Sequence, residues 1–155
     1  SDPNSVSDTD YNQFIESSTP NLLICPLTCR HTIETLLSQA QTRIRISAQY
    51  VIDKQILNIL MKQKNLDIRI RTNKFDSNRD LIRALGQEKI IFENSTVYNH
   101  DKTLLIDDIV IIGSMNLSDN ALDNNREIGI VIPHNPDIIA QIEPLFQDKK
   151  FSTRE

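Results

Sequence analysis

The sequence predicts an α/β fold in which a mixed, mostly parallel sheet is flanked by helices. Between residues 22 and 92, short apolar runs alternate with amphipathic helical patterns, an order typical of parallel strands joined by crossover helices. After residue 103 two apolar runs follow each other with no room for a helix, so a hairpin must enter the same sheet. The length of 155 residues and the 39% hydrophobic content suit one globular domain.

The first elements alternate strictly. An apolar run that Pro26 closes predicts the first strand, and apolar positions spaced by three and four residues from Ile33 to Ala40 predict a helix. Alternating arginine and isoleucine predict a strand over residues 43–50. Asp53 is a good N-cap for a second helix, whose apolar positions are Ile56, Leu57, Leu60 and Met61.

The second half of the chain keeps this alternation at first and then breaks it. The elements predicted here are strands at residues 67–72, 90–92, 103–106, 109–112 and 128–132, a helix that ends at Gly86, and a helix that begins at Pro136. Asp107 and Asp108 separate two of the strands and predict the turn of the hairpin.

Composition and charge limit the possible functions. No apolar stretch is long enough to cross a membrane and no signal peptide is visible, so a cytoplasmic and a membrane-associated location both stay open. The net charge of −4 disfavours a general nucleic-acid binder, although residues 28–89 carry a net charge of +6 that favours an anionic ligand. The polar residues 1–20 predict a linker or tail before one domain at residues 21–155.

Cys25 and Cys29 do not have the spacing of a zinc site, and no second cysteine or histidine pair completes one. We expect a pair of buried thiols at a strand-to-helix junction, and a local disulfide is the alternative.

The stretch from His100 to Glu127 carries side chains suited to phosphate chemistry. His100 and Lys102 lie two residues apart, so an extended backbone presents them on one face. The predicted hairpin returns beside them and carries Ser114 and Asn116, again two apart. A histidine, a cation, a hydroxyl and an amide together supply a nucleophile and hydrogen-bond donors for phosphoryl oxygens. Glu127 begins the next strand, where it can accept a hydrogen bond from the imidazole and fix its tautomer.

These residues resemble the defining motif of the phospholipase D superfamily, His-x-Lys-x4-Asp followed by Gly-Ser-x-Asn. The matching positions are His100, Lys102, Asp107, Gly113, Ser114 and Asn116. The segment from Asn116 to Gly129 also looks like the family's approach to its glutamate, here Glu127. The resemblance covers residues 21–148 and implies a phospholipase D-like catalytic half-domain.

The resemblance also implies a role for each residue. His100 would attack phosphorus and form a phosphohistidine, or would protonate the leaving oxygen. Lys102 and Asn116 would hold the phosphate oxygens with help from Ser114, and Glu127 would orient the histidine. Asp107 would form a structural ion pair away from the phosphate. No metal and no cofactor is implied.

One spacing departs from the family. The motif commonly has six residues between its aspartate and its glycine, and this chain has five, residues 108–112. A shorter turn shifts the pleat of the returning strand, so we expect a tight turn or a bulge to restore the orientation of Ser114 and Asn116.

The chain carries one copy of the motif, whereas in-line displacement uses a histidine on each side of the phosphorus. The second histidine would come from another copy in a homodimer or from the missing half of a longer chain. The absence of an initial methionine and the linker-like first residues favour the second source.

For the substrate, the resemblance leaves two classes open. Two-copy relatives act on phospholipids, as phospholipases or cardiolipin synthases, and single-copy relatives are often nucleases. We predict a phosphodiesterase of phospholipids, acting by hydrolysis or phosphatidyl transfer, because the half-domain organisation suits it and the sequence offers no aromatic stacking platform for nucleic acid. The lack of an amphipathic anchor counts against a lipid enzyme. The alternatives are a homodimeric endonuclease and a non-catalytic half that packs against an active partner.

Overall fold

A computed structural model describes residues 20–93, 96 and 98–147, and most of the predicted tail lies outside these ranges. The strands are β1 (Asn21–Cys25), β2 (Arg43–Ser47), β3 (Asp67–Thr72), β4 (Ile90–Phe92), β5 (Thr103–Ile106), β6 (Ile109–Gly113) and β7 (Glu127–Pro133). The helices are α1 (Cys29–Gln39), α2 (Lys54–Lys62), α3 (Arg79–Leu85) and α4 (Pro136–Ile142), with shorter helical segments at Asp76–Asn78, Gln87–Lys89, Asn120–Asn124 and Glu143–Phe146.

The seven strands form one sheet in the order β1-β7-β6-β5-β2-β3-β4. The predicted mixed sheet with flanking helices is confirmed, but its mostly parallel character is wrong. Only the pairings of β2 with β3 and of β3 with β4 are parallel, and the other four are antiparallel. The helix α1 joins β1 to β2, yet β1 lies beside β7 at the far edge, because a crossover does not require the two strands to be neighbours.

Local signals set the start of two helices, α2 and α4, as the sequence predicts. The Asp53 carboxylate accepts a hydrogen bond from the backbone N–H of Ile56 at 3.0 Å and caps α2. Asn135 caps α4 in the same way through Ile138 at 3.1 Å. Thr28 precedes α1 without a side-chain cap, because its hydroxyl oxygen accepts instead from the N–H of Ile24 at 3.1 Å.

The expectation of free thiols is wrong, because Cys25 and Cys29 form a disulfide. The bridge joins the end of β1 to the first residue of α1, and the turn between them brings the two Cα atoms to 5.0 Å, within the range that a disulfide spans. The disulfide therefore fixes the edge strand to the helix that covers it.

The two faces of the sheet are covered unequally. The helices α1, α2 and α3 cover one face over a continuous buried core that includes Leu37, Ile46 and Ile70. On the other face, α4 and the segment after it cover only a smaller cluster around Leu105 and Val110. Beside that cluster, four apolar side chains that are 41–63% exposed form what we term the open apolar face: Leu22, Ile24, Ile112 and Ile128.

The hairpin of β5 and β6 has the tight turn that the short spacing predicts. Ile106 pairs with Ile109 across two turn residues, and Asp107 adopts a left-handed conformation with φ 55°. This register continues to the N–H of Gly113, which donates to the carbonyl of Lys102 at 3.1 Å.

No helix in the described ranges combines the length and apolar character needed to cross a bilayer.

Candidate active site

The ends of the seven strands meet at one edge of the sheet. The carboxyl ends of β1, β2, β3, β4 and β6 lie there with the amino ends of β5 and β7, as the register of each pair requires. His100 and Lys102 directly precede β5, and Glu127 begins β7. The topology therefore gathers the predicted residues from distant parts of the sequence.

Lys102 is buried at this edge, with only 7% of its surface exposed. Its ammonium donates to Gln49 Oε1 at 3.1 Å and to the carbonyl of His100 at 2.7 Å, and it lies 3.2 Å from His100 Nδ1. Burial lowers the pKa of Lys102, against the opposing effect of the nearby carboxylates of Asp101 and Glu127. The lysine is thus held next to the imidazole and loses its proton more readily than an exposed lysine.

His100 itself is exposed, and its ring lies 6.2 Å from the ring of Tyr98. Because an ammonium only donates, its contact with Nδ1 accompanies the neutral tautomer that carries its proton on Nε2. The arrangement supplies a paired imidazole and cation, as the spacing in the sequence predicts.

Glu127 and Ser114 contact each other rather than the histidine. The Ser114 hydroxyl donates to the Glu127 carboxylate, which also accepts from Asn125 Nδ2 at 3.3 Å. Within the described residues no hydrogen bond joins Glu127 to His100, although Glu127 lies near enough to Lys102 to oppose the lowering of its pKa. Ser114 also accepts from the N–H of Ile128 at 3.1 Å.

The register explains the position of Ser114. Lys102 lies opposite Gly113, so Ser114 is one residue out of line with the lysine and its contacts are with β7. Asn116, two residues on, accepts a hydrogen bond through Oδ1 from the N–H of Tyr50 at 3.3 Å. The tight turn brings Asn116 against the loop that follows β2, whereas Ser114 stays with Glu127.

Asp107 lies at the opposite end of β5, and no ion pair of its side chain occurs among the described residues. Its carboxylate accepts from the N–H of Thr42 at 2.9 Å and from the Thr42 hydroxyl at 2.8 Å, as well as from the N–H groups of Gln41 and Arg43. Burial alone would raise the pKa of Asp107, but these donors hold it below its ordinary value. The residue fixes the hairpin to the loop before β2.

Several buried polar residues outside the motif support the site. Ser47 donates to Asp101 at 2.9 Å, Asn99 donates to Ser47 at 3.3 Å, and Asn73 donates to the carbonyl of Asn99 at 2.9 Å. Gln49, besides accepting from Lys102, donates through Nε2 to the Tyr98 hydroxyl at 2.7 Å. The position of Ser47, Gln49 and Asn73 at the carboxyl ends of β2 and β3 is the signal in the sequence that could have identified these three residues.

The structure contains an aromatic platform that the sequence analysis did not find. The rings of Tyr50 and Phe75 stack with centroids 5.1 Å apart and planes at 22°. They follow different strands, β2 and β3, and are 25 residues apart in the sequence. Only the parallel pairing of these two strands brings them together.

The fold and the residues at this end of the sheet define a class of protein. It is a mixed α/β domain that holds a histidine and a buried lysine together where the strand ends converge. Residues 33–150 match the family model described as "Cardiolipin synthase, PLD-like domain". The chain therefore belongs to this family, and with it to the phospholipase D superfamily.

Solved structures share the fold at low sequence identity. Nuc, a phospholipase D family member from Salmonella typhimurium, has a TM-score of 0.69 at 23% identity, over 84% of this chain and 93% of that chain. NucT from Helicobacter pylori has a TM-score of 0.69 at 21% identity, over 83% and 93%. Phosphatidylserine synthase from Haemophilus influenzae Rd KW20 has a TM-score of 0.59 at 15% identity, over 81% and 37%. The comparison with curated protein sequences found no match.

Proposed function

We propose that this chain is a phosphodiesterase half-site that acts through a phosphohistidine on His100. The observation that carries the proposal is the contact of the buried Lys102 ammonium with the exposed imidazole of His100. An imidazole is a nucleophile at neutral pH, and a cation beside it attracts the phosphate and stabilises the charge that develops on its oxygens.

The reaction has two displacements at phosphorus. In the first, one nitrogen of His100 bonds to phosphorus while the bond to the leaving oxygen breaks, and a second histidine gives that oxygen a proton. In the second, the same histidine takes a proton from water, the water oxygen bonds to phosphorus, and the bond to His100 breaks. Lys102 and Asn116 would hold the remaining oxygens throughout.

The two histidines need different protonation states. Attack through Nε2 requires a neutral imidazole with its proton on Nδ1 and an acceptor beside that proton, and Glu127 is the carboxylate that we propose for this role. The general acid must be an imidazolium, because a neutral imidazole that gave up its Nε2 proton would become an anion. The contact of Lys102 with Nδ1 fits neither state, so in both copies Nδ1 would turn from Lys102 to Glu127, and the two copies would differ by one proton.

We propose that the second histidine comes from a second copy of the chain, and the missing half of a longer chain is the other source. The open apolar face supports a partner at this place. Its residue Ile128 follows Glu127, and Ile112 lies two positions before Ser114, so the face begins at the rim of the site. Burial of such a face against its own copy would exclude water and complete the site.

Two substrate classes have specific support. The description of the matching family as a cardiolipin synthase domain, and the likeness to a phosphatidylserine synthase, favour a phospholipid, to be hydrolysed or transferred to an alcohol. The stacked rings of Tyr50 and Phe75 favour a nucleic-acid phosphodiester.

Hydrolysis of bis(p-nitrophenyl) phosphate with EDTA present tests the proposal. We expect the wild type to be active and His100→Asn to lose essentially all activity. His31→Asn is the matched control, because His31 is an exposed histidine on α1. Equal activity of wild type and His100→Asn would refute the mechanism. Absence of activity in the wild type would contradict the homodimer and favour a non-catalytic or excised half.

A further inference from the structure

A cleft of about 430 Å³ lies beside the candidate active site. Its floor is apolar and consists of Phe75, Ile82 and Phe92. Its rim is polar, with the exposed side chains of Lys74, Asp76, Arg79 and Gln87. The volume lies within the range of small-ligand sites and accommodates one nucleoside-sized group.

The cleft is joined to the active site by direct contacts. Asn116 accepts a hydrogen bond from the backbone of Tyr50, whose ring stacks on Phe75, and Phe75 lines the cleft. On the other side, Asn73 bonds to the carbonyl of Asn99, the residue before His100. If the phosphorus of a substrate lay at His100, the group next to the scissile bond would therefore reach the cleft.

The side chains of the cleft suit a flat aromatic group attached to an anion. Phe75 is held on one side by Tyr50, so its ring is a fixed surface on which a base can extend the stack. Stacking of a base on an aromatic side chain strengthens binding by about 5-fold to more than 100-fold and does not depend on which base stacks. Lys74, which makes no ion pair within the described residues, and Arg79 lie where they can meet a flanking phosphate.

The same features disfavour a lipid in this cleft. An acyl chain would need an apolar rim through which to pass, and here the rim carries charged and amide side chains. The exposed apolar side chains of the open apolar face belong to β1, β6 and β7, away from the strands β3 and β4 that flank the cleft.

We propose that this cleft is a subsite for one base of a single-stranded nucleic acid, stacked on Phe75, with the flanking phosphate bound by Lys74 and Arg79. The inference rests on the proposed function, because it names the substrate class of the same site.

Fluorescence anisotropy tests the subsite without relying on catalysis. The full chain carrying His100→Asn would be titrated with a labelled single-stranded oligonucleotide and with an abasic strand of the same length. We expect Phe75→Leu, made in that background, to weaken binding of the base-bearing strand by about 5- to 100-fold. Binding of the abasic strand should be weak from the start and unchanged by Phe75→Leu. Equal binding of the two strands before the Phe75 substitution would overturn the proposal.

The cations offer a matched comparison. Arg79 and Arg83 lie on the same helix, both exposed and both paired with an aspartate three residues before, but only Arg79 lines the cleft. We expect Arg79→Ala and Lys74→Ala each to reduce the slope of log affinity against log salt by about 0.7, the value for one phosphate contact on a single strand. Arg83→Ala should leave it unchanged, and an equal effect of Arg83→Ala would contradict the subsite.

Two further outcomes separate the proposals. In the first, binding depends on the base and on Phe75, but the wild type hydrolyses no phosphodiester. This result would refute the proposed function and still support the subsite. The second outcome concerns Phe75→Leu in a chain that keeps His100. If this substitution impairs turnover of phosphatidylglycerol vesicles and leaves oligonucleotide binding unaltered, the cleft serves a lipid and the inference is wrong.

Discussion

Gln49 holds two residues of the candidate site through one amide. Its Oε1 accepts from the Lys102 ammonium at 3.1 Å and its Nε2 donates to Tyr98 at 2.7 Å. A hydrogen bond to a charged group contributes about 1.5–3 kcal/mol when the site is buried. We therefore propose that Gln49 is a positioning residue, which acts on phosphate through Lys102.

We predict that Gln49→Leu lowers kcat/KM for bis(p-nitrophenyl) phosphate by about 10- to 100-fold, because Lys102 loses its side-chain acceptor and keeps only the carbonyl of His100. Gln49→Glu keeps an acceptor and should recover most of the activity, while its added charge raises the pKa of Lys102 and moves the alkaline limb of the pH profile upward. Gln39→Leu, at an exposed position of α1, is the control. An unchanged rate for Gln49→Leu would show that Gln49 does not position the lysine.

The pH profile should report Lys102 directly. Burial lowers the pKa of this lysine from its ordinary 10.5. In the proposed mechanism only its charged form binds phosphate. As pH rises through that lowered pKa the cation is lost, so we predict that kcat/KM for bis(p-nitrophenyl) phosphate falls at a pH below 10.5. Lys102→Arg should remove this alkaline limb, since arginine stays protonated, although its larger group lowers the overall rate. An alkaline limb that persists in Lys102→Arg would assign it to another residue.

The helix α2 depends on a carboxylate with two partners. Asp53 caps the helix and pairs with Arg30 at 2.7 Å, and Arg30 in turn pairs with Asp123 in the turn before β7. Burial would raise the pKa of Asp53, but the hydrogen bonds from Arg30, from Asp119 and from the helix backbone outweigh it and lower the pKa from 3.8 to about 2. The shift means that the folded chain favours the ionised carboxylate.

The sign of the pH effect follows from this shift. The stabilisation is complete above the unfolded pKa of 3.8 and is lost as pH falls toward about 2. We predict that Asp53→Asn lowers the free energy of unfolding by about 2 kcal/mol at neutral pH and by much less near the folded pKa. Urea unfolding at both pH values measures the difference. Asp80→Asn, in an exposed pair on α3, should change neither value, and a constant loss for Asp53→Asn at both pH values would contradict the linkage.

Sequence reasoning works best where the determining contacts are local. The caps at Asp53 and Asn135 and the tight turn at Asp107 are set within a few residues, and all were predictable. The antiparallel majority of the sheet was not, because β1 pairs with β7, a strand that begins about a hundred residues later. The Asp107 carboxylate likewise bonds to residues about 65 positions earlier, which the motif alone does not indicate.

The residues of the candidate site likewise fall into two groups, those that the sequence identifies and those that only the sheet order reveals. A motif of fixed spacing identifies His100, Lys102 and Asn116, and the topology brings their segments to one edge. Gln49 and Phe75 carry no signature of their own, because their relevance arises from the pairing of β5 with β2 and of β2 with β3. Residues that act through long-range contacts become visible only when the sheet order is known.

At the scale of the whole molecule, the open apolar face and the single motif histidine, His100, lead to the same expectation: association with a second copy. Leu22, Ile24, Ile112 and Ile128 lie side by side on three adjacent strands, because Leu22 and Ile112 both pair with Ile130 and Ile24 pairs with Ile128. Apolar patches of this kind on a sheet mark association surfaces. A two-fold dimer through this face would provide the second histidine that the chemistry requires.

We predict that Ile128→Lys converts a dimer to a monomer in sedimentation velocity and abolishes hydrolysis of bis(p-nitrophenyl) phosphate, while the circular dichroism spectrum stays that of the wild type. Met61→Lys is the matched control, because Met61 is a 45% exposed apolar residue on α2, on the opposite side of the sheet.

A mixture of wild-type and variant chains provides an independent measurement. An excess of His100→Asn chains should suppress the activity of the wild type, because the hybrid dimers contain only one copy of His100. Chains that carry both His100→Asn and Ile128→Lys should not suppress it, because they do not form dimers. A fully active monomeric Ile128→Lys chain would show that one copy supplies the whole site.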